Sequence, residues 1–253
     1  MRNFLRFAGE LLFPPRCVAC GKRVGVTYGM EAPYFCEACA EEWQREQVLQ
    51  CPDCFCEYYR CRCQPKILKK AGSLAYLKLV PYGTGERYRA AHQLVHHMKH
   101  QPRARLFRAA AADLAPLVRL AVRELALEQE RLVLCALPRS RHGLRENGFD
   151  HAALLAKAIS AEVGIPCRPL LRAVRERNEQ KKMTGKTARA ANVKGAFAAC
   201  GEVSGLSVIL VDDIVTSGAG MAEAVRVLRK AGATEVLALS VAYTESREKR
   251  KLS

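Results

Sequence analysis

The segment from Val208 to Gly220 gathers residue types that together handle a phosphorylated sugar. It reads Val208-Ile-Leu-Val-Asp212-Asp213-Ile-Val-Thr216-Ser217-Gly218-Ala219-Gly220. Its apolar start has the character of a buried strand, and its small-residue end that of a loop opening a helix. Backbone N–H groups at a helix N-terminus, aided by the helix dipole, favour a phosphate. Thr216 and Ser217 add hydroxyl donors, and Gly218 and Gly220, on either side of Ala219, let the backbone come close. Asp212 and Asp213 have the wrong sign for phosphate, but ionised carboxylates accept from the 2′ and 3′ hydroxyls of a ribose. The plainer alternative is a strand ending in an acidic turn before an ordinary capped helix. No G-x-G-x-x-G follows a strand and no P-loop lysine motif is present, so dinucleotide and P-loop chemistry are set aside.

The second group able to do chemistry is the cysteines. Of twelve, nine lie between Cys17 and Cys63, whereas Cys135, Cys167 and Cys200 are scattered singly. Cys17-x2-Cys20-x15-Cys36-x2-Cys39 has the spacing of a zinc ribbon, in which each Cys-x-x-Cys turn gives two thiolates to a tetrahedral shell. Cys51, Cys54, Cys61 and Cys63 form a second candidate set, with Cys56 as a fifth thiol. One or two Zn²⁺ ions are expected, each in a closed four-thiolate site and therefore structural. The stretch from Met1 to Pro15 carries Arg2, Arg6 and Glu10 and no small-residue cleavage site, so export is not expected. A cytoplasmic location follows, where paired cysteines are metal ligands before they are disulfides. No run reaches the ~20 apolar residues a membrane span needs. His92, His96 and His100 share a helix face without a carboxylate or cysteine to complete a metal site, and read as a polar stripe.

With 41 Lys and Arg against 25 Asp and Glu, the net charge is +16. Such a balance suits an anionic partner, either nucleic acid, a phosphorylated metabolite or both, although a solvated basic surface would give the same number. Only 7% of residues are aromatic, so base stacking would be minor.

These groups must be positioned by a scaffold. Phe4, Leu5, Ala8, Leu11 and Leu12 predict a short amphipathic helix that stops at Pro14-Pro15 and packs on its own chain. From Cys17 to Cys63 no periodic run supplies an apolar core, so metal is expected to replace it. Beyond Pro65, strands are expected at 73–82, 132–137, 167–171, 208–211 and 235–243. Helices are expected at 86–100, 106–130 with a break or kink at Pro116, 151–163 closed by Gly164, and 221–231. Residues 172–195 are basic and aperiodic. The alternation implies an α/β fold, a doubly wound and mostly parallel sheet over residues 66–253, preceded by a small zinc-ribbon domain over residues 1–65. Ligands in such folds bind at the carboxyl ends of strands, here the loops after Leu137 and Val211.

The 208–220 string resembles the phosphoribosyl pyrophosphate signature of type I phosphoribosyltransferases, differing in Gly220 where those enzymes end the loop with threonine or serine. More widely, the chain resembles the ComF family, amidophosphoribosyltransferase-like proteins associated with DNA uptake in competent bacteria. Leu11-Leu12-Phe13-Pro14-Pro15-Arg16-Cys17 matches its opening, and the cysteine pairs follow in order. Leu137-Pro138-Arg139-Ser140-Arg141 with Arg145 and Gly148-Phe149 matches its central basic motif, and Arg172, Arg175, Gln180, Arg189, Asn192 and Ala196-Phe197 its basic loop. The central motif commonly continues Gly-Phe-Asn-Gln, where this chain has Asp150 and His151.

The resemblance implies a type I phosphoribosyltransferase fold that binds phosphoribosyl pyrophosphate. Asp212 and Asp213 would serve the ribose, Thr216 to Gly220 the 5-phosphate, and Pro138, Arg139, Ser140 and Arg141 the pyrophosphate. Mg²⁺ would accompany the ligand through pyrophosphate and ribose oxygens. Residues 172–195 match a hood from which Lys181, Lys182 and Arg189 approach the leaving pyrophosphate. Partners implied are single-stranded DNA and competence helicase or processing proteins. A metabolic phosphoribosyltransferase of nucleotide or cofactor synthesis, and a sensor that binds the ligand without turning it over, stand as alternatives. No residue identifies the acceptor.

Overall fold

The protein is seen here as a computed structural model that describes residues 2–244, apart from Glu31, Pro52, Tyr58, Tyr59, Thr84, Glu86, Arg87 and residues 175–192. Helix α1 (Arg2–Leu12) and helix α2 (Glu37–Gln47) belong to the cysteine-bearing segment, and α3 (Lys66–Lys70) leads out of it. Then come β1 (Ala75–Tyr82), α4 (Arg89–His100), α5 (Ala104–Glu124), β2 (Leu132–Ala136), α6 (Arg141–Asn147) and α7 (His151–Val163). Short strands β3 (Leu171–Ala173) and β4 (Phe197–Ala199) pair antiparallel. Last are β5 (Ser207–Val215), α8 (Ala219–Lys230) and β6 (Glu235–Thr244).

The main sheet has the order β1-β6-β5-β2, and all its pairs are parallel. Side chains alternate between its faces, and both faces are apolar, as a parallel sheet covered twice requires. Leu77, Leu134, Ile209 and Leu239 face a core shared with α4, α5 and α7. Tyr76, Val133, Leu210 and Ala238 face a second core under α3 and α8. This is the expected doubly wound α/β sheet. It places the carboxyl ends of β2 and β5, which are adjacent strands, side by side.

Several elements depart from expectation for identifiable reasons. Pro116 lies inside α5 and does not end it. Ten buried residues line that helix, and their burial outweighs the ~3 kcal/mol an interior proline costs. The strand expected at 167–171 reduces to one parallel bridge, Leu134 to Cys167, followed by β3 in a separate hairpin. Pro166 and Pro169 flank that bridge and donate no N–H to a ladder. Acidic residues 212 and 213 lie within β5, which continues to Val215.

The cysteine-bearing segment does not lack an apolar core. Val18, Phe35 and Trp43 join the core that also holds Leu94 and Leu114. Trp43 Nε1 and the Tyr34 hydroxyl both donate to Asp113 Oδ2 at 2.8 Å, fixing α2 to α5. The Glu46 carboxylate accepts the N–H groups of Ala90 and Ala91 at 3.0 and 2.9 Å, and so serves the first turn of α4. Helix α1 forms as predicted, but its apolar face is open: Phe4, Leu5, Leu11 and Leu12 are 59 to 77% exposed. No helix among the described residues is long and apolar enough to cross a membrane.

Candidate functional site

Strand β5 delivers its two carboxylates and then a loop to the start of α8. Gly218, the N-cap residue, has φ +75°, and a Cβ there would lie 3.3 Å from Ile67 on α3. Glycine is thus required twice, by the left-handed backbone and by the helix packed beneath it. A glycine N-cap offers no side-chain acceptor to the first N–H groups of the helix. The contrast with α6 and α7 is direct, because Ser140 and Asp150 cap those helices by accepting from Gly143 and Ala153. At α8 the Ser217 hydroxyl approaches only the Ala219 N–H, at 3.4 Å. The remaining N–H groups open onto a cavity of about 310 Å³ lined by Asp212, Thr216, Ser217 and Gly220.

A second cavity of about 320 Å³ shares Leu137, Asp212, Ile214 and Thr216 with the first, so the two form one groove. Its far wall is the loop after β2, with Pro138, Arg139 and Ser140. The two stretches expected to hold opposite ends of a ligand therefore face each other. Ser140 uses its oxygen as the α6 cap and keeps its O–H as a donor. Arg141 is the first residue of α6. Lys181, Lys182 and Arg189, expected to close over the site, lie outside the described residues. Val193, just after them, lines the cavity at the start of α8, and the Gly195 N–H donates to Glu223 of α8 at 2.7 Å.

The two aspartates have different environments. Asp213 is buried, its Oδ1 3.3 Å from His151 Nε2 and its Oδ2 3.6 Å from Lys99 Nζ. Burial alone would raise its pKa, but the His151 hydrogen bond and the Lys99 charge outweigh it and hold the carboxyl below its usual range. Asp212 is only partly covered and faces both halves of the groove. Burial, followed by the charge of Asp213, pushes its pKa well above the usual range. One negative charge thus sits firmly on Asp213, and Asp212 gains its own most easily when a cation or hydroxyl donor arrives. Asp213 Oδ2 is buried without a hydrogen-bond partner.

Sequence reasoning missed Lys99 and His151. Lys99 sits on α4, far from β5 in sequence, and carried no motif. His151 was visible as a departure from a motif, and its role is spatial: Arg139 Nη1 lies 2.8 Å from its Nδ1. His151, Asp212 and Asp213 bring donor atoms within 4.8 Å of one another. Both ring nitrogens are already engaged, by Arg139 and Asp213, so this is a hydrogen-bonded network in place of a cation cage. His92, His96 and His100 join no such group among the described residues; His92 stacks on Tyr82, and His96 meets His100 at a tilt of 50°.

The cysteines fall into two sets of four, Cys17, Cys20, Cys36, Cys39 and Cys51, Cys54, Cys61, Cys63, each with sulfurs within 4.8 Å. Zn–S bonds of ~2.3 Å imply tetrahedral S···S edges of ~3.8 Å. The Cys20 to Cys36 and Cys54 to Cys61 separations of 3.6 and 3.5 Å agree, so both sets fit zinc. Cys56 is exposed and outside the second set. Cys36 is the N-cap residue of α2 and Cys39 lies in its first turn, so the first set is built on that helix. The second set touches the sheet: Lys78, buried on β1, donates to Cys61 Sγ at 3.2 Å and to the Cys63 carbonyl at 2.7 Å.

With this geometry in place, likeness to known proteins takes in one wall of the groove, the β5 carboxylates and the start of α8. Residues 150–253 match the phosphoribosyl transferase domain family. That match takes in β5, the 216–220 loop and α8. The chain is also homologous to the DNA utilization protein YhgH of Salmonella typhimurium and of Salmonella typhi, at 32% identity over 145 residues in each case. That homology bears out the ComF-type resemblance. The match covers 56% of this chain and 63% of either relative. Among solved structures, phosphoribosylpyrophosphate synthetase from Mycobacterium smegmatis is 17% identical with a TM-score of 0.34, covering 55% of this chain and 36% of that one. Glutamine phosphoribosylpyrophosphate amidotransferase from B. subtilis is 22% identical with a TM-score of 0.36, covering 57% and 30%.

Proposed function

We propose that the groove between the loop after β2 and the start of α8 binds phosphoribosyl pyrophosphate, and that the chain acts in the handling of single-stranded DNA during competence. The observation that carries the first part is the α8 N-terminus, which has no side-chain cap from Gly218 and opens into the same cavity as Asp212. The 5-phosphate takes the N–H groups and hydroxyls of 216–220. Asp212 and Asp213 accept ribose hydroxyls, and Arg139, with Arg141 beside it in sequence, receives the pyrophosphate. Bound Mg²⁺ would neutralise pyrophosphate charge. In a turnover, these residues would hold the ribose still while positive charge grows at the anomeric carbon and pyrophosphate leaves.

The DNA part rests on the +16 charge, which exceeds what one phosphate groove uses, and on homology to a DNA utilization protein. Helicase or processing proteins of the competence machinery are the corresponding partners. A second reading, a sensor that does not turn its ligand over, is favoured by one observation: Gly220 supplies no hydroxyl where related loops end in threonine or serine.

Calorimetry with phosphoribosyl pyrophosphate and Mg²⁺ tests the groove, with one site per chain expected. Pyrophosphate release with an added acceptor then separates enzyme from sensor. For DNA, gel shifts across a salt series should show sequence-tolerant binding that weakens steeply with salt. No shift at low salt would leave the metabolic transferase as the better account.

A further inference from the structure

His151 sits between the two walls of the groove, and its hydrogen bonds fix its chemical state. An arginine guanidinium is always a donor. Nδ1 of His151, 2.8 Å from Arg139 Nη1, must therefore present its lone pair. A ring with a bare Nδ1 is neutral and carries its proton on Nε2. Nε2 faces Asp213 Oδ1 at 3.3 Å, and Oδ1 also accepts the Ile214 N–H at 2.9 Å. The ring is 4% exposed, so water does not substitute for either partner. His151 thus accepts on one side and donates on the other. Among the described residues His151 is the one hydrogen-bond partner of Arg139, which leaves most of the five guanidinium N–H groups for an anion.

We propose that His151 is a positioning residue that ties the Arg139 loop to the Asp213 strand, so that the pyrophosphate and ribose halves of the groove are set relative to each other before ligand arrives. The proposal rests on the phosphoribosyl pyrophosphate reading for its ligand, but not for the link itself. Three elements meet at the ring: the loop after β2, the first turn of α7 and β5. Asp150, the preceding residue, caps α7 and so fixes where the ring begins. The chemistry also explains a departure in the sequence. A glutamine, common at this place in the motif that 137–149 resembles, has an amide oxygen to accept from Arg139 and an amide N–H to donate to Asp213. His151 in this one tautomer presents the same pair of functions.

Two experiments decide it separately from the function. In the ligand-free protein, ¹⁵N-detected imidazole spectra at neutral pH should show His151 protonated at Nε2 alone. A proton on Nδ1, as the other tautomer or the imidazolium, would overturn the link whether or not any ligand binds. Calorimetry with phosphoribosyl pyrophosphate and Mg²⁺ then compares His151→Gln with His151→Leu, each checked for folding by thermal melting. The expected result is His151→Gln within about threefold of the parent and His151→Leu weaker by about tenfold, one charge-assisted hydrogen bond being worth ~1.5 kcal/mol. A role in filling space predicts the reverse, since leucine fills the site and an amide oxygen would be idle there. Parental affinity in His151→Leu, or equal losses in both, would overturn the proposal. If the parent protein itself does not bind, the functional reading falls, and the spectra still decide the link.

Discussion

The cysteine-bearing segment and the groove both gather acidic groups in partly buried places, and they neutralise them differently. In the first, eight thiols gather into two sets of four whose spacing fits zinc, with Lys78 donating to one of them. In the second, Lys99 matches the charge of Asp213 and His151 hydrogen-bonds it, while Oδ2, 3.6 Å from Lys99, has no hydrogen bond, in a groove that opens to solvent. A satisfied cluster holds a shape, whereas a cluster with one acceptor to spare is prepared for a donor from outside. This difference distinguishes a closed set of ligands from an open one even though both are built from ionisable side chains.

The largest effect should come from removing a first-set thiol. Cys39→Ser should leave a single zinc per chain by elemental analysis and strongly lower soluble yield, because structural zinc contributes ~10 kcal/mol or more to small metal-bound folds. Full zinc content in that variant would break the distinction at its metal side.

Next in size is the aspartate pair, where the two positions should respond in opposite directions. Asp213 has a depressed pKa, so its stabilisation is present above the unfolded value near 3.8 and lost as pH falls through the folded one. Asp213→Asn should lower stability at neutral pH, toward the low end of the ~3 to 5 kcal/mol seen when a buried ion pair loses one member, since Lys99 is a third exposed. Asp212 has a raised pKa and costs stability as pH rises through it. Asp212→Asn should therefore raise the thermal midpoint, by ~2 to 4 °C per kcal/mol recovered, while weakening ligand binding. Urea titrations and thermal melts of both variants check the signs.

Lys78→Met should speed loss of one zinc to a chelator and leave the other, with affinity reduced ~10 to 100-fold as for other residues that support metal ligands. The smallest effect is a pH slope at Glu46, whose pKa burial raises to about 7. Its contribution is complete below its unfolded value of 4.5 and fades as pH climbs to about 7, at no more than ~1.4 kcal/mol per pH unit. Glu46→Gln should flatten that slope in denaturant titrations.

The same contrast governs what the sequence could reveal. The candidate zinc ligands are local: Cys17 and Cys20, or Cys36 and Cys39, announce themselves by spacing. The 216–220 loop is local as well, and the strand, loop and helix of 207–230 follow the expected order, with the helix bounds shifted by one or two residues and the strand running past its expected end at 211 to Val215. Lys99 and His151 reach Asp213 from α4 and α7 through tertiary packing, which no spacing encodes. For the same reason Trp43, Tyr34 and Asp113, far apart in sequence, gave no sign of the bond between α2 and α5. The exposed face of α1 shows the limit of periodicity, which predicts an apolar stripe but not what covers it.

The most direct test of the account is amide hydrogen exchange on the parent protein with and without phosphoribosyl pyrophosphate and Mg²⁺. Slower exchange is expected at the amides of 216–221, where α8 begins, and around Arg139, with no change in residues 17–39. No protection there, or protection instead around Arg119 to Glu130, which borders a cavity of about 800 Å³ at the C-terminal ends of α5 and α7, would contradict the assignment of the groove.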